Sequence, residues 1–251
     1  MNINMRTIKF AATFLLLLVF TAGMISACRV DGKPSGKEGE NVVRQTRQVS
    51  TFTGIRAGGA FELILKQGPV QEVIVEADQK IIDDISTTVS GGVLEINLKK
   101  PVHLRYNDIK VMRVFITCND LSLLDLSGAV ELRTETRFTV PKLSMEVSGA
   151  VESRMELVAQ ELNMSICGSS ELKFQGTAGN VKVDASGAAE ISAYDMIMTN
   201  LTLYASGAVD ANVNVSGSLK ANVSGACDIK YKGNPKVECH TSGACDIARA
   251  E

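Results

Sequence analysis

The chain has 251 residues, 45% hydrophobic and 22% charged, with a formal net charge of −2. That length supports one large domain or two small ones. The near-neutral balance excludes a large nucleic-acid footprint. An aromatic content of 5% with no Trp argues against base stacking and against a broad aromatic platform for sugars.

Residues 1–27 read as a secretory signal. Arg6 and Lys9 form a positive start, Phe10 to Phe20 an apolar run, and small residues come next, ending in Ile25-Ser26-Ala27-Cys28. The apolar run is too short to span a membrane. The last four residues resemble the lipobox of bacterial lipoproteins. The resemblance implies cleavage before Cys28 and acylation of that residue, with several chains giving a stable membrane anchor. Arg29 is next, with no Asp to suggest inner-membrane retention. An outer-membrane lipoprotein of the cell envelope is expected, on either face. Residues 28–48 then read as a lipidated Cys and a flexible tether. Gly32, Pro34, Gly36 and Gly39 sit there among polar residues with little to bury. Such a tether spans roughly 25 Å.

Residues 49–251 read as the folded domain, divided at 120. In 49–120, Phe61 to Leu65 and Glu72 to Glu76 read as strands around a Gly68-Pro69 turn. Gln79 to Ile85 reads as a helical turn or two. Val89 to Leu98 reads as two strands around Gly91-Gly92, and Lys110 to Thr117 as another. This section is expected to cap the N-terminal end of the remaining domain. Ala57-Gly58-Gly59-Ala60 resembles the motif of the later repeats.

From 121 to 251 the chain repeats. Ser-Gly-Ala recurs at 127–129, 148–150, 186–188, 206–208, 224–226 and 242–244, with Cys167-Gly168-Ser169 filling the gap. Alignment on the glycines exposes apolar positions two, four and six residues before each, and two and four after. Leu124, Leu126, Val130 and Leu132 stand in the first copy, and Ala221, Val223, Cys227 and Ile229 in the sixth. Polar residues lie between them. A period of two means strands with one buried face. Short strands meeting at a small-residue corner every 19 residues or so predict an all-β fold. The specific expectation is a parallel β-helix, or β-solenoid, of seven coils. Each coil buries its inner face only by stacking on the next. Coil lengths of 18 to 21 residues favour the right-handed form.

Phe52-Thr53-Gly54-Ile55, the Gly59-to-Leu65 strand with its Gln67-Gly68 turn, and the Ser-Gly-Ala repeats together resemble the head GIN domain family. That family is described as auto-transporter adhesins and is common in Bacteroidetes lipoproteins. The resemblance spans about residues 49–247 and implies a β-helix-like stack. It brings no catalytic motif with it.

The sharpest chemical feature is acidic. Glu131, Glu152, Glu171, Glu190, Asp210, Asp228 and Asp246 each stand three residues after a repeat glycine. Glu62 extends the row if Gly59 is a corner. Carboxylates stacked about 4.8 Å apart repel one another, so solvent, cations or protonation must offset them. The row is either a solvated outer face or a cation- or ligand-binding stripe. Ca²⁺ is conceivable if Asp125, Glu146 and Asp184, across the corner, converge with it. Lys99, Lys100, His103 and Arg105 gather positive charge on one loop that could meet an anionic glycan or headgroup.

Cys118, Cys167, Cys227, Cys239 and Cys245 remain beside Cys28, and none has zinc spacing with a His partner. Buried free thiols are expected. Cys227 and Cys245 share one inward row, where parallel side chains give poor disulfide torsions. The repeated Ser residues read as corner residues, and only His103 and His240 are available as bases. The reading is a lipid-anchored, non-enzymatic binding or adhesion module, with a glycan or an envelope protein as partner. One alternative is a self-associating envelope scaffold joined through the C-terminal coil. A carbohydrate-active β-helix enzyme is the less favoured one.

Overall fold

The computed structural model describes residues 42–99 and 111–250. The fold is all-β, and one 3-10 turn, Ile82–Asp84, stands where a helical turn was expected. The strands are β1 Val42–Arg47, β2 Gly54–Gln67, β3 Glu72–Asp78, β4 Ile85–Ser90, β5 Val93–Leu98, β6 Met112–Cys118, β7 Leu123–Thr134, β8 Phe138–Lys232 and β9 Lys236–Arg249. They form one mixed, open sheet in the order β1-β3-β6-β2-β7-β8-β9, with β5 also on β2 and β4 on β5.

The first section mixes antiparallel pairs, β1 with β3, β3 with β6 and β4 with β5, with parallel pairs of β2 with β5 and with β6. β4 and β5 form the hairpin expected around Gly91-Gly92. The strands either side of Gly68-Pro69 do not pair with each other. β6 lies between them, antiparallel to β3 and parallel to β2. The expected tether is too long by several residues. β1 begins at Val42 and pairs along its length with β3, from Val42 against Asp78 to Arg47 against Val73. Arg44 explains why this polar stretch is held: it ion-pairs with Glu76 and lies over the Phe115 ring at 5.1 Å.

β2 changes partners at Gly59. Residues Gly54 to Gly58 pair with β5, and Glu62 to Gln67 pair with β6. On its other side β2 pairs in parallel with all of β7, Gly59 against Gly128 and Glu62 against Glu131. The early corner read at Ala57 to Ala60 is therefore the first member of the glycine row. β7 pairs with β8 in the same register, and β8 with β9, Gly225 against Gly243.

β8 is 95 residues long. Fully extended it would reach roughly 310 Å. Instead it returns over itself. A Cβ placed on Gly149 would lie 2.4 Å from the Gly128 carbonyl oxygen. On Gly207 it would lie 2.4 Å from that of Gly187, and on Gly225 2.4 Å from that of Gly207. Each of these glycines has positive φ, +113° at Gly207, which bends the extended chain and which other residues avoid. Gly is therefore required twice over, for its φ and for its missing side chain.

The inward rows hold the core. Their members are buried except Ser122 and the five positions of β9, namely Val237, Cys239, Thr241, Cys245 and Ile247. Burial also continues past the rows read from the sequence. Phe138, Met155, Leu157, Phe174, Met196 and Val213 are all within the core. Fully burying side chains of this size contributes about 1.5–3 kcal/mol each relative to exposure.

Candidate functional site

The acidic row comes from the register. Glu131 pairs with Glu152 and Asp228 with Asp246, and the stacked glycines carry Glu171, Glu190 and Asp210 between them. One carboxylate per repeat leaves a line of negative charge along the edge of the sheet's bends.

Part of the compensation comes from a second row, five residues after each glycine, that sequence reasoning missed. Arg133, Arg154, Lys173 and Lys230 stand there. Arg154 ion-pairs with Glu152, Lys230 with Asp228 at 3.0 Å, and Arg133 with Glu62 at 3.6 Å. Arg113 of β6 closes the N-terminal end of the row on Glu62 and also bonds Glu76. These exposed pairs are worth little individually, about 0–1 kcal/mol each. They offset part of the repulsion between stacked carboxylates, at Glu62, Glu152 and Asp228.

The compensation lapses in the middle. The position five after the glycine is Ser192 in the repeat of Glu190 and Asn212 in that of Asp210. Burial pushes the Asp210 carboxyl above its ordinary value, and the charge of Asp228 adds to this while Lys230 opposes it.

Beside the row lies an open trough of about 670 Å³. Ala129, Ala150, Ala188 and Ala208, the residues after each glycine, line it together with Glu131, Glu152, Glu171, Glu190 and Asp210. Small residues make it a channel, because longer ones would fill the angle beside the bend. Ser170 also lines it; that residue is 91% buried and its Oγ has no hydrogen-bond partner. The trough is thus apolar in its floor, acidic along one wall, and polar at one buried point.

The carboxylates across the bend do not converge with this row. Asp125 is bound by Arg56 at 2.6 Å, beside Glu95 at 3.2 Å on the same guanidinium. Asp184 is bound by Lys182 at 2.8 Å. Among the described residues no three His, Cys, Asp or Glu side chains gather as a metal site. The Ca²⁺ arrangement required such convergence, and the structure gives the two acidic rows separate partners instead.

Lys99 is tied down, its Nζ donating to the Asp83 carbonyl at 2.6 Å. Lys100, His103 and Arg105 lie outside the described residues, as does Cys28. Five cysteines are free thiols: Cys118 and Cys227 buried, Cys239 and Cys245 half-buried, and Cys167 exposed. Cys167 departs from the expected burial because it occupies the outward Ser position of its corner. Burial, with the charge of Asp120, pushes the Cys118 thiol up to about 11. Two of the corner serines bind backbone. Ser127 Oγ donates to the Ala57 carbonyl and Ser186 Oγ to that of Ile166, each at 3.4 Å.

Similar folds exist. A structure described as an adhesin, "putative" in its own description, from Bacteroides fragilis NCTC 9343 is 23% identical with a TM-score of 0.80. The match covers 84% of this chain and 98% of that one. A "putative lipid binding protein" from Parabacteroides distasonis ATCC 8503 is 20% identical, TM-score 0.62, over 84% of this chain and 98% of its own. No curated protein matches the chain in sequence. Residues 51–235 match the family model described as "Putative auto-transporter adhesin, head GIN domain". The chain belongs to the head GIN domain family.

Proposed function

We propose that this protein is a non-enzymatic binding and adhesion module of the cell envelope, anchored by lipid at Cys28 and built on a right-handed parallel β-solenoid. The trough beside the acidic row is its ligand surface. The solenoid reading is supported by the in-register glycine contacts, which recur every 18 to 21 residues. The binding reading rests on one observation: a channel whose acidic wall runs through five successive repeats and loses its cations at Glu190 and Asp210. Such a wall favours an extended ligand carrying amino or guanidino groups, because charges spaced along a chain can meet successive carboxylates.

The family description and the adhesin neighbour support adhesion as the use of that surface. The neighbour described as lipid binding leaves a lipid partner as the competing reading. An enzymatic reading gains no support from the Ser row, whose Ser127 and Ser186 hydroxyls are occupied by backbone carbonyls.

Pentalysine is the test probe. At low salt it should bind the chain from residue 28 onward, and Glu190→Gln with Asp210→Asn should weaken it about fivefold, as loss of two exposed ion pairs predicts. Glu135→Gln on a neighbouring outward position should leave it unchanged. Equal loss in both variants, or none in either, would retire the trough as the ligand surface.

A further inference from the structure

β9 is the outer strand of the sheet. It pairs with β8 on one side and, among the described residues, with no strand on the other. The free N–H and C=O groups of such an edge are a template for another strand. Its inward row is also poorly covered. Val237 is 40% exposed, Thr241 is exposed, and Cys239, Cys245 and Ile247 are half-buried. Their partners in β8, Leu219, Ala221, Val223, Cys227 and Ile229, are fully in the core, because β9 lies on them. β9 lacks the layer that it supplies to β8.

The sequence of β9 reads alike from both ends of its bend. Inward residues stand two and four positions from Gly243 on each side, and outward His240 and Asp246 stand three before and three after. We infer that β9 pairs antiparallel with β9 of a second copy, about a twofold axis at Gly243. In this register Thr241 faces the second copy's Cys245, and Cys239 faces its Ile247. Val237 meets the aliphatic stem of its Arg249. A twofold axis makes every such contact occur twice.

Charge selects a second copy as the occupant. In the acidic row Asp228 is held by Lys230, and in β9 Glu238 is held by Lys220. No cation among the described residues holds Asp246, whose repeat has Ala248 where others carry a basic residue. The twofold pairing places the second copy's His240 against it, and His240 against the second copy's Asp246. Ser242, Gly243 and Ala244 at the axis are small enough for two backbones to approach.

The interface is modest. Fourteen residues at about 3.4 Å each, and about 10 Å broad with their inward side chains, present roughly 480 Å² per copy. Stable complexes bury about 800 Å² per partner. Association is therefore reversible and depends on concentration.

Sedimentation equilibrium tests this on the chain from residue 28, with Cys28→Ala so that no acyl chain drives association. The mass should rise from monomer to twice that value between low micromolar and near-millimolar concentration. Val237→Lys with Thr241→Lys, at two positions exposed in the single copy, should keep the same circular dichroism and stay monomeric. His240→Asp, which sets two like charges against each other at both ends of the twofold, should weaken the dimer about fivefold. Adding Asp246→His should restore it. A wild-type chain that stays monomeric overturns the inference. So does a double-lysine variant that dimerises like the wild type, and failure of the charge exchange to restore the dimer overturns this register.

Discussion

Residues 42–118 and the repeats from 123 onward hold neighbouring strands in register by different means. The first section uses side chains. Arg44 and Arg113 converge on Glu76, Arg113 reaches Glu62, and Arg56 bridges Glu95 and Asp125. These contacts join strands of different sequence, some parallel and some antiparallel, so each is made once. The repeats use backbone. Each glycine lies directly on the one before it, and each inward position lies on its own kind. The contrast shows that the repeats vary outside a few positions and keep the glycine of the bend in every copy. The first section spreads its requirements over many individual residues.

Glycine substitution sharpens this contrast most. Gly207→Ala would drive a Cβ to 2.4 Å from a carbonyl oxygen at φ +113°. The expected loss is about 3 kcal/mol or more, combining strain and overpacking. Gly91→Ala, in the β4–β5 hairpin, also has positive φ but meets nothing within 4 Å. It should cost about 1 kcal/mol. Urea unfolding of the two variants checks the order, and equal losses would mean that stacking adds nothing to the backbone requirement.

Glu76→Gln is the corresponding break in the first section. Burial alone would raise this carboxyl, but hydrogen bonds from Arg44 and Arg113 outweigh it and hold it below its ordinary value. The variant should lose about 1–2 kcal/mol, since both Arg partners are largely exposed. The sign in pH comes from the lowered value. Stability from Glu76 is present above the ordinary Glu range and disappears as pH falls through the lowered folded value. The variant should therefore converge with wild type in acid, which unfolding curves at several pH values will show.

The smallest effect belongs to the acidic row. The Asp210 carboxyl is raised, so its protonated form favours the fold. That contribution is present below its ordinary value and lost as pH rises through the raised folded one. Asp210→Asn should stabilise the protein at neutral pH by less than about 0.5 kcal/mol, because solvent screens so exposed a group. A destabilised variant would show that the carboxylate has a favourable partner.

Legibility in the sequence divides along the same line. Ser-Gly-Ala was legible because identical residues recur wherever backbone meets backbone. The inward rows nearest the glycine were legible too, since they stay in phase with it. Further away, glycine spacings of 18 to 21 residues break the alignment, and Phe138, Met155 and Phe174 drop out of view. The basic row was hidden by its gaps at Ser192, Asn212 and Ala248. β1 was hidden because Val42 to Arg47 offers only two apolar residues. Its hold is the pairing with β3 and an ion pair with Glu76, more than thirty residues away along the chain.

Adhesion requires the trough to face outward from the cell. Intact cells treated with a protease that does not cross membranes, beside lysed cells and cells carrying Cys28→Ala, test this directly. The account predicts digestion of the folded domain on intact cells, and its loss from the membrane fraction in the Cys28→Ala strain. Full protection until lysis would contradict it, because a domain enclosed within the envelope has no external partner to bind.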